Sequence, residues 1–240
     1  CADVNNVTYH SVPLNVEADG TFRFSAEALL NKVDERTKAI FLCSPNNPTG
    51  QCLPQEELLK VLNEFDGVVV IDEAYADFMS QPSFLTVLHE YPRLIVLQTF
   101  SKAWACAGIR LGMAFASAEI ISLFNKVKYP YNVNVLTQRQ AINLLSTPQR
   151  ITQWVTELKA ERSRLISRLH ECPSVLQIYP TDANFVLVRM VDAPALYAYL
   201  LTQGIIVRSR HRVLLCANCL RITVGTPEEN DTLLEAMQNF

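Results

Sequence analysis

Short apolar runs alternate with helix-period segments through the first half of the chain. Ala39–Cys43, 68–71 and 94–97 are continuous apolar stretches rather than alternating ones, the pattern of strands buried on both faces of a parallel sheet. Between the first two, 56–65 places Leu58, Leu59 and Leu62 on one helical face, with Pro54 as a first-turn proline ahead of it. Gly112–Ala116 reads as a fourth strand, Ser117 as the N-cap of a helix over 119–126, and 7–13 as an opening strand. Alternation of this kind builds βα units, hence an α/β fold with a mostly parallel sheet.

The second half reads differently. Pro148 opens a helical pattern that reaches Leu169, with Glu157, Lys159, Glu161, Arg162, Arg164 and Arg168 making a charged, solvated face. Strands are expected at 184–189, 205–208 and 220–224, with a helix at 193–201. Thr226-Pro227-Glu228-Glu229 joins an N-cap, a first-position proline and a capping box. The order strand–helix–strand–strand–helix defines a smaller α+β unit. The expected domains are therefore a large one over 1–147 and a small one over 148–240.

Composition excludes several classes. At 240 residues with a net charge of −3, the chain has no electrostatic footprint for nucleic acid or an anionic membrane. No apolar run reaches the roughly 18 residues of a membrane span, and no signal peptide opens the sequence. The seven cysteines read as reduced thiols of a cytoplasmic protein. Cys216-Ala217-Asn218-Cys219 has C-x-x-C form, but zinc needs more ligands than His211 can add, and no helix start follows for a redox pair. It reads as chance spacing, with no metal site.

Chemistry gathers where the strong strands end. Ala39–Cys43 runs into Ser44-Pro45-Asn46-Asn47-Pro48-Thr49-Gly50, the second strand into Asp72-Glu73-Ala74-Tyr75, the third into Gln98-Thr99-Phe100-Ser101-Lys102. Parallel strands end on one edge, where open sheets bind ligands. Singly, each cluster has a plain reading: a turn, a Walker-B-like strand of a P-loop ATPase, a surface lysine. Their occurrence together in this order carries the weight.

So ordered, the chain resembles the fold-type-I pyridoxal-phosphate (PLP) aminotransferases, and among them the histidinol-phosphate aminotransferases, nearly end to end. The anchors are 44–50, Asp72 to Tyr75, Ser101-Lys102 with Ala107-Gly108-Ile109-Arg110-Leu111-Gly112, 204–208, and Leu220-Arg221-Ile222-Thr223-Val224-Gly225-Thr226. The spacing of eight from Lys102 to Arg110 is a specific part of it.

The resemblance implies PLP as cofactor, linked to Lys102, which then moves a proton as base and acid. It implies that Asp72 pairs with the ring nitrogen and that Asn47 and Tyr75 donate to the phenolic oxygen. Thr99, Ser101 and Arg110 would hold the phosphate, Arg208 and Arg221 the substrate anion, with Asn184 near the carboxylate. An amino donor and a 2-oxo acid would be the small-molecule partners, and the enzyme a homodimer. The family's N-terminal arm, glycine-bearing phosphate turn and ring-stacking aromatic have no counterpart here, and the chain opens on Cys1 with only seven glycines. An N-terminal stretch outside this chain is therefore expected. Other expectations left open are an aromatic aminotransferase, a phosphothreonine-type decarboxylase, a non-catalytic fragment and, more remotely, a P-loop ATPase, for which no G-x-x-x-x-G-K-[ST] is present.

Overall fold

A computed structural model describes residues 2–17 and 19–240. After a single 3-10 turn (Asp3–Asn5) come the short antiparallel pair β1 (Asn15–Val16) and β2 (Phe22–Arg23) and then α1 (Ala26–Leu30), which Ser25 caps by accepting the Ala28 N–H at 3.1 Å. The strand expected at 7–13 does not form. Val7 and Tyr9 are exposed, Pro13 has no N–H to give, and among the described residues no neighbouring strand offers a partner.

The first large sheet holds β3 (Ala39–Cys43), β4 (Val68–Asp72), β5 (Leu94–Thr99) and β6 (Gly112–Ala116), in that spatial order. The first three are parallel and β6 is antiparallel to β5. Between β3 and β4 lies α2 (Gln55–Glu64), with Pro54 at the N-cap rather than inside the first turn. Leu58 and Val61 of α2 pack with Ile40, Leu42, Val69, Ile71, Leu94 and Val96. Only β4 and β5 meet the expectation of burial on both faces. On β3, at the sheet edge, Ile40 and Leu42 point into that layer while Phe41 is 74% exposed, because no described element covers its other side.

From β6 the chain passes through α3 (Ala118–Val127), capped by Ser117 as expected, and α4 (Val135–Leu145), capped by Asn134. The charged helix is α5 (Pro148–Leu169), with its proline in the first turn. Beyond it come β7 (Val175–Ile178), β8 (Phe185–Met190), α6 (Ala193–Thr202), β9 (Arg208–Ser209), β10 (Cys219–Thr223) and α7 (Pro227–Gln238). The four strands form an antiparallel sheet in the order β7-β8-β10-β9. Its core joins Leu165 and Leu169 of α5 to Val186, Val188, Leu196, Leu220, Ile222 and Leu233. The capping box at Thr226 and Glu229 is present in both directions.

β9 begins later than the expected 205–208. Gly204, at φ 75°, ends α6: its N–H bonds Leu201 O at 3.1 Å and the Ile205 N–H bonds Leu200 O at 2.9 Å. This Schellman closure takes up the residues expected to start the strand. The helix α5 packs against residues of both halves of the chain. Ile151, Trp154, Val155 and Leu158 of its first half pack with Tyr75, Phe78 and Ala103, in the segments that follow β4 and β5, and with Ala183 and Phe185 at the start of β8.

Candidate active site

Register brings the three polar clusters to one edge. Cys43 lies beside Asp72, and Asp72 beside Leu97. Past the strands, the Ser44 N–H donates to Asp72 O at 3.0 Å and the Glu73 N–H to Leu97 O at 2.8 Å. The loop 44–50 is tied down from the other side: the Asp182 N–H donates to Gly50 O at 2.7 Å and the Cys52 N–H to Asp182 Oδ2 at 3.3 Å. Gly50 sits at φ 82°, and a Cβ there would collide with Thr181 Oγ1, so both backbone conformation and close approach demand glycine. Arg162, buried in α5, donates to Ala183 O at 2.7 Å and fixes the same crossing.

Within this crossing four side chains stack in a row. Lys102 Nζ lies 5.2 Å from the centroid of the Tyr75 ring. Tyr75 meets Phe185 edge to face at 5.2 Å. The Arg221 guanidinium lies over the other ring at 4.9 Å from the Phe185 centroid. Cation–π contacts of this kind contribute about 0.5–2 kcal/mol each, so Phe185 and Tyr75 orient one cation at each end of the row. Arg221 Nη1 also donates to Asn47 Oδ1 at 2.8 Å, closing the row against the 44–50 loop. Asn47 keeps its amide N–H groups for another acceptor.

The remaining expected residues fall as follows. Asp72 is half-buried at the end of β4; its Oδ1 accepts the Ala74 N–H at 2.9 Å. Thr99 and Ser101 lie together, the Ser101 N–H donating to Thr99 Oγ1 at 3.1 Å, while Thr99 Oγ1 donates to Leu111 O at 3.2 Å. Arg110, at φ 52°, folds its Nη1 back onto Ala107 O at 3.0 Å and is exposed. Asn184 is half-buried, and its backbone carbonyl accepts the Val224 N–H at 3.0 Å. Arg221 stands in the middle of β10, not at its start, directly opposite Arg208, which opens β9 rather than closing a strand. The structure thus joins Lys102, Tyr75, Asn47 and Arg221 through side chains, and Thr99 with Ser101. It shows no side-chain contact from Arg110 or Asn184 to that row.

Two participants were not singled out from the sequence. Phe185 sits in an apolar run that reads simply as core, and Arg210 in a segment with no motif. Glu73, which completes the Walker-B-like string, is a structural carboxylate: buried, it accepts from Ser83 Oγ, from the Phe84 N–H at 2.8 Å and from Gln98 Nε2 at 3.1 Å.

The charges left over fit a cofactor carrying a basic ring nitrogen and a phosphate. Among the described residues, Asp72, Lys102, Arg208 and Arg221 take part in no ion pair, and Arg221 Nε is buried with no hydrogen-bond partner. Burial, followed by the like charges of Arg210 and Arg208, holds the Arg221 guanidinium below the ordinary arginine range; an incoming anion would relieve both effects. Unpaired buried charges are costly and collect where a ligand completes them.

A strand-edge lysine, a carboxylate one strand over and a cluster of free arginines define the class: a PLP-dependent aminotransferase. Residues 2–237 match the class I and II aminotransferase family. Histidinol-phosphate aminotransferase of Bacteroides thetaiotaomicron is 55% identical over 240 residues, covering 100% of this chain and 68% of that protein. The crystal structure of histidinol-phosphate aminotransferase from Clostridium acetobutylicum superposes with a TM-score of 0.90 at 26% identity, covering 99% of this chain and 72% of that one. The Sinorhizobium meliloti enzyme of the same name, in complex with pyridoxal-5'-phosphate, shares the fold with a TM-score of 0.87 at 24% identity, over 99% and 65% of the two chains. The chain belongs to the class I and II aminotransferases, in their histidinol-phosphate aminotransferase branch.

Proposed function

We propose that the protein transaminates histidinol phosphate, with 2-oxoglutarate and glutamate as the second couple, in histidine biosynthesis in the cytoplasm. The observation that carries this reading is the arginine cluster on the second sheet. Arg208 and Arg221 face each other across β9 and β10, Arg210 lies two residues on, and none of the three is ion-paired among the described residues. Planar guanidinium forks suit a carboxylate and a phosphate alike, as a site must when it receives a phosphate monoester in one half-reaction and a dicarboxylate in the other.

Bound PLP would supply the electron sink that lets an amino acid lose its α-proton. The Asp72 carboxylate would hold the proton on the ring nitrogen, favoured by a poorly hydrated edge. Asn47 and Tyr75 would donate to the phenolic oxygen; Thr99, Ser101 and Arg110 would hold the phosphate. The Lys102 amine, aimed by the Tyr75 ring, would take the proton from the substrate Cα and return it. Arg221, fixed by Phe185 and Asn47, would orient the substrate anion, with Asn184 alongside. On this reading 1–147 holds the cofactor and 148–240 contributes the anion-binding arginines.

Arg208→Ala tests the substrate assignment. Losing charge-assisted bonds of about 1.5–3 kcal/mol corresponds to roughly a ten- to hundred-fold drop in kcat/KM for histidinol phosphate, with a smaller drop for phenylalanine, which has no phosphate. Arg221→Lys should weaken both, because an ammonium cannot reproduce the fork. Steady-state kinetics on the two substrates decides; equal losses for Arg208→Ala would remove the phosphate-reading role.

The homodimer belongs to the same proposal. Val127, Tyr129, Tyr131, Leu136 and Ile142, on α3, α4 and the link between them, are 68–100% exposed, an apolar surface of the sort that subunit interfaces cover. Sedimentation should give an active dimer at assay concentrations, and an active monomer would contradict it.

A further inference from the structure

The turn between β9 and β10 holds two thiols that the aminotransferase chemistry does not use. The Cys219 N–H donates to Cys216 O at 3.0 Å, closing a four-residue turn. Asn218, in its third position, is left-handed at φ 55°, as a type II turn requires. The ends of a β-turn lie within about 7 Å of each other, and disulfides span Cα separations of about 4.4–6.8 Å. Both side chains are buried, at 1% and 0% exposure, in one small cluster with Tyr179 and Leu187. They share a pocket as well as a turn.

The surroundings of this pocket are polar and unspent. Tyr179 Oη and Arg189 Nε are buried with no hydrogen-bond partner. Arg189 of β8 is the register partner of Cys219 on β10, and its guanidinium lies 5.7 Å from the Tyr179 ring centroid. We propose that Cys216 and Cys219 are a reversible dithiol–disulfide site, oxidised by a small hydroperoxide and reset by an exogenous dithiol. The proposal gives the C-x-x-C a use that its spacing alone does not: a helix start is one way to bring two thiols together, and a closed turn is another.

Protonation favours an unequal pair. The neighbouring Cys216 thiol, and after it the Arg189 guanidinium, hold the Cys219 sulfur below the ordinary thiol range against its own burial, while the Cys219 thiol donates to Ala217 O at 3.6 Å. The neighbouring Cys219 thiol and burial push Cys216 up. The titratable and charged groups facing the pair or its turn are Tyr179 after β7, Arg189 on β8, Arg210 after β9 and His211, whose Nδ1 accepts the Asn218 N–H at 3.3 Å. On this proposal Cys219, the register partner of Arg189, is the attacking thiol and Cys216 the resolving one. The Cys219 thiolate attacks the peroxide, forming an S–O bond as the O–O bond breaks; the leaving oxygen takes a proton and departs as water or an alcohol. The Cys216 sulfur then attacks the sulfenic sulfur, forming S–S as S–O breaks, and its proton leaves with the hydroxyl as water. Two electrons pass from the sulfurs to the peroxide. Residues 211–215 beside the turn are exposed, and because both thiols are buried the reaction requires this loop to open.

Peroxide treatment of the protein, followed by unfolding, alkylation and peptide mapping, tests the site. The expected product is an internal disulfide in the peptide carrying both residues, reversed by dithiothreitol, with a formation rate that rises with pH as the attacking thiol ionises. In Cys216→Ser, dimedone should trap a sulfenic acid on Cys219; in Cys219→Ser it should find none on Cys216. Recovery of both residues as free thiols while the exposed Cys43 is oxidised would overturn the proposal. So would bridging of either residue to another cysteine.

Discussion

Lys102→Ala is expected to abolish transamination and the visible absorption of bound PLP together. Lys102 follows β5 at the edge where Asp72 ends β4, and the Tyr75 ring holds its ammonium in place. No other lysine is set to substitute. Lys38 lies before β3, at the opposite end of the sheet, and Lys60 lies on α2. Without this amine nothing at the site both links the cofactor and moves the α-proton. Turnover should fall to background while the fold persists, as circular dichroism would show. Near-normal turnover would mean that the chemistry lies elsewhere.

Asp72→Asn should retain the fold and lose the chemical step. Its Oδ1 accepts the Ala74 N–H, and an asparagine oxygen can do the same, so the turn at the end of β4 is preserved. What disappears is the negative charge that favours a protonated ring nitrogen. In a half-buried site, removing such a charge costs several kcal/mol, and about 1.4 kcal/mol is tenfold in rate. Single-turnover kinetics should therefore show a loss of several powers of ten. A two- or three-fold loss would make Asp72 a structural cap and nothing more.

The parts of this fold that were legible in the sequence are those that local pattern determines. β3, β4 and β5 are uninterrupted apolar runs, and each hands the chain directly to a polar cluster, so the shared edge follows from parallel order. The caps at Ser117 and Thr226 and the proline at 148 are local signals that the structure carries. The failures have two different causes, one non-local and one a local signal not read. A strand at 7–13 has the composition but no partner among the described residues, and the start of β9 is displaced by a helix closure centred on Gly204. β7 and the short α1 offer too few residues for a period to declare itself.

The site divides in the same way. Lys102, Asp72 and Tyr75 are visible because they adjoin strand ends. The pairing of Arg208 with Arg221 and the bond from Arg221 to Asn47 depend on register and on the meeting of two sheets, 174 residues apart in the second case. Phe185, between Tyr75 and Arg221, is hidden because a core residue and an orienting one have the same side chain. Cys216 and Cys219 are adjacent on paper; what the structure adds is the closed turn and the common pocket.

The most direct test of the central claim is to load the protein with PLP, reduce it with borohydride and map the modified peptide. The cofactor should be found fixed to Lys102 alone, with the visible band lost on reduction. A stable adduct on a different lysine, or PLP bound with no covalent link to Lys102, would contradict it.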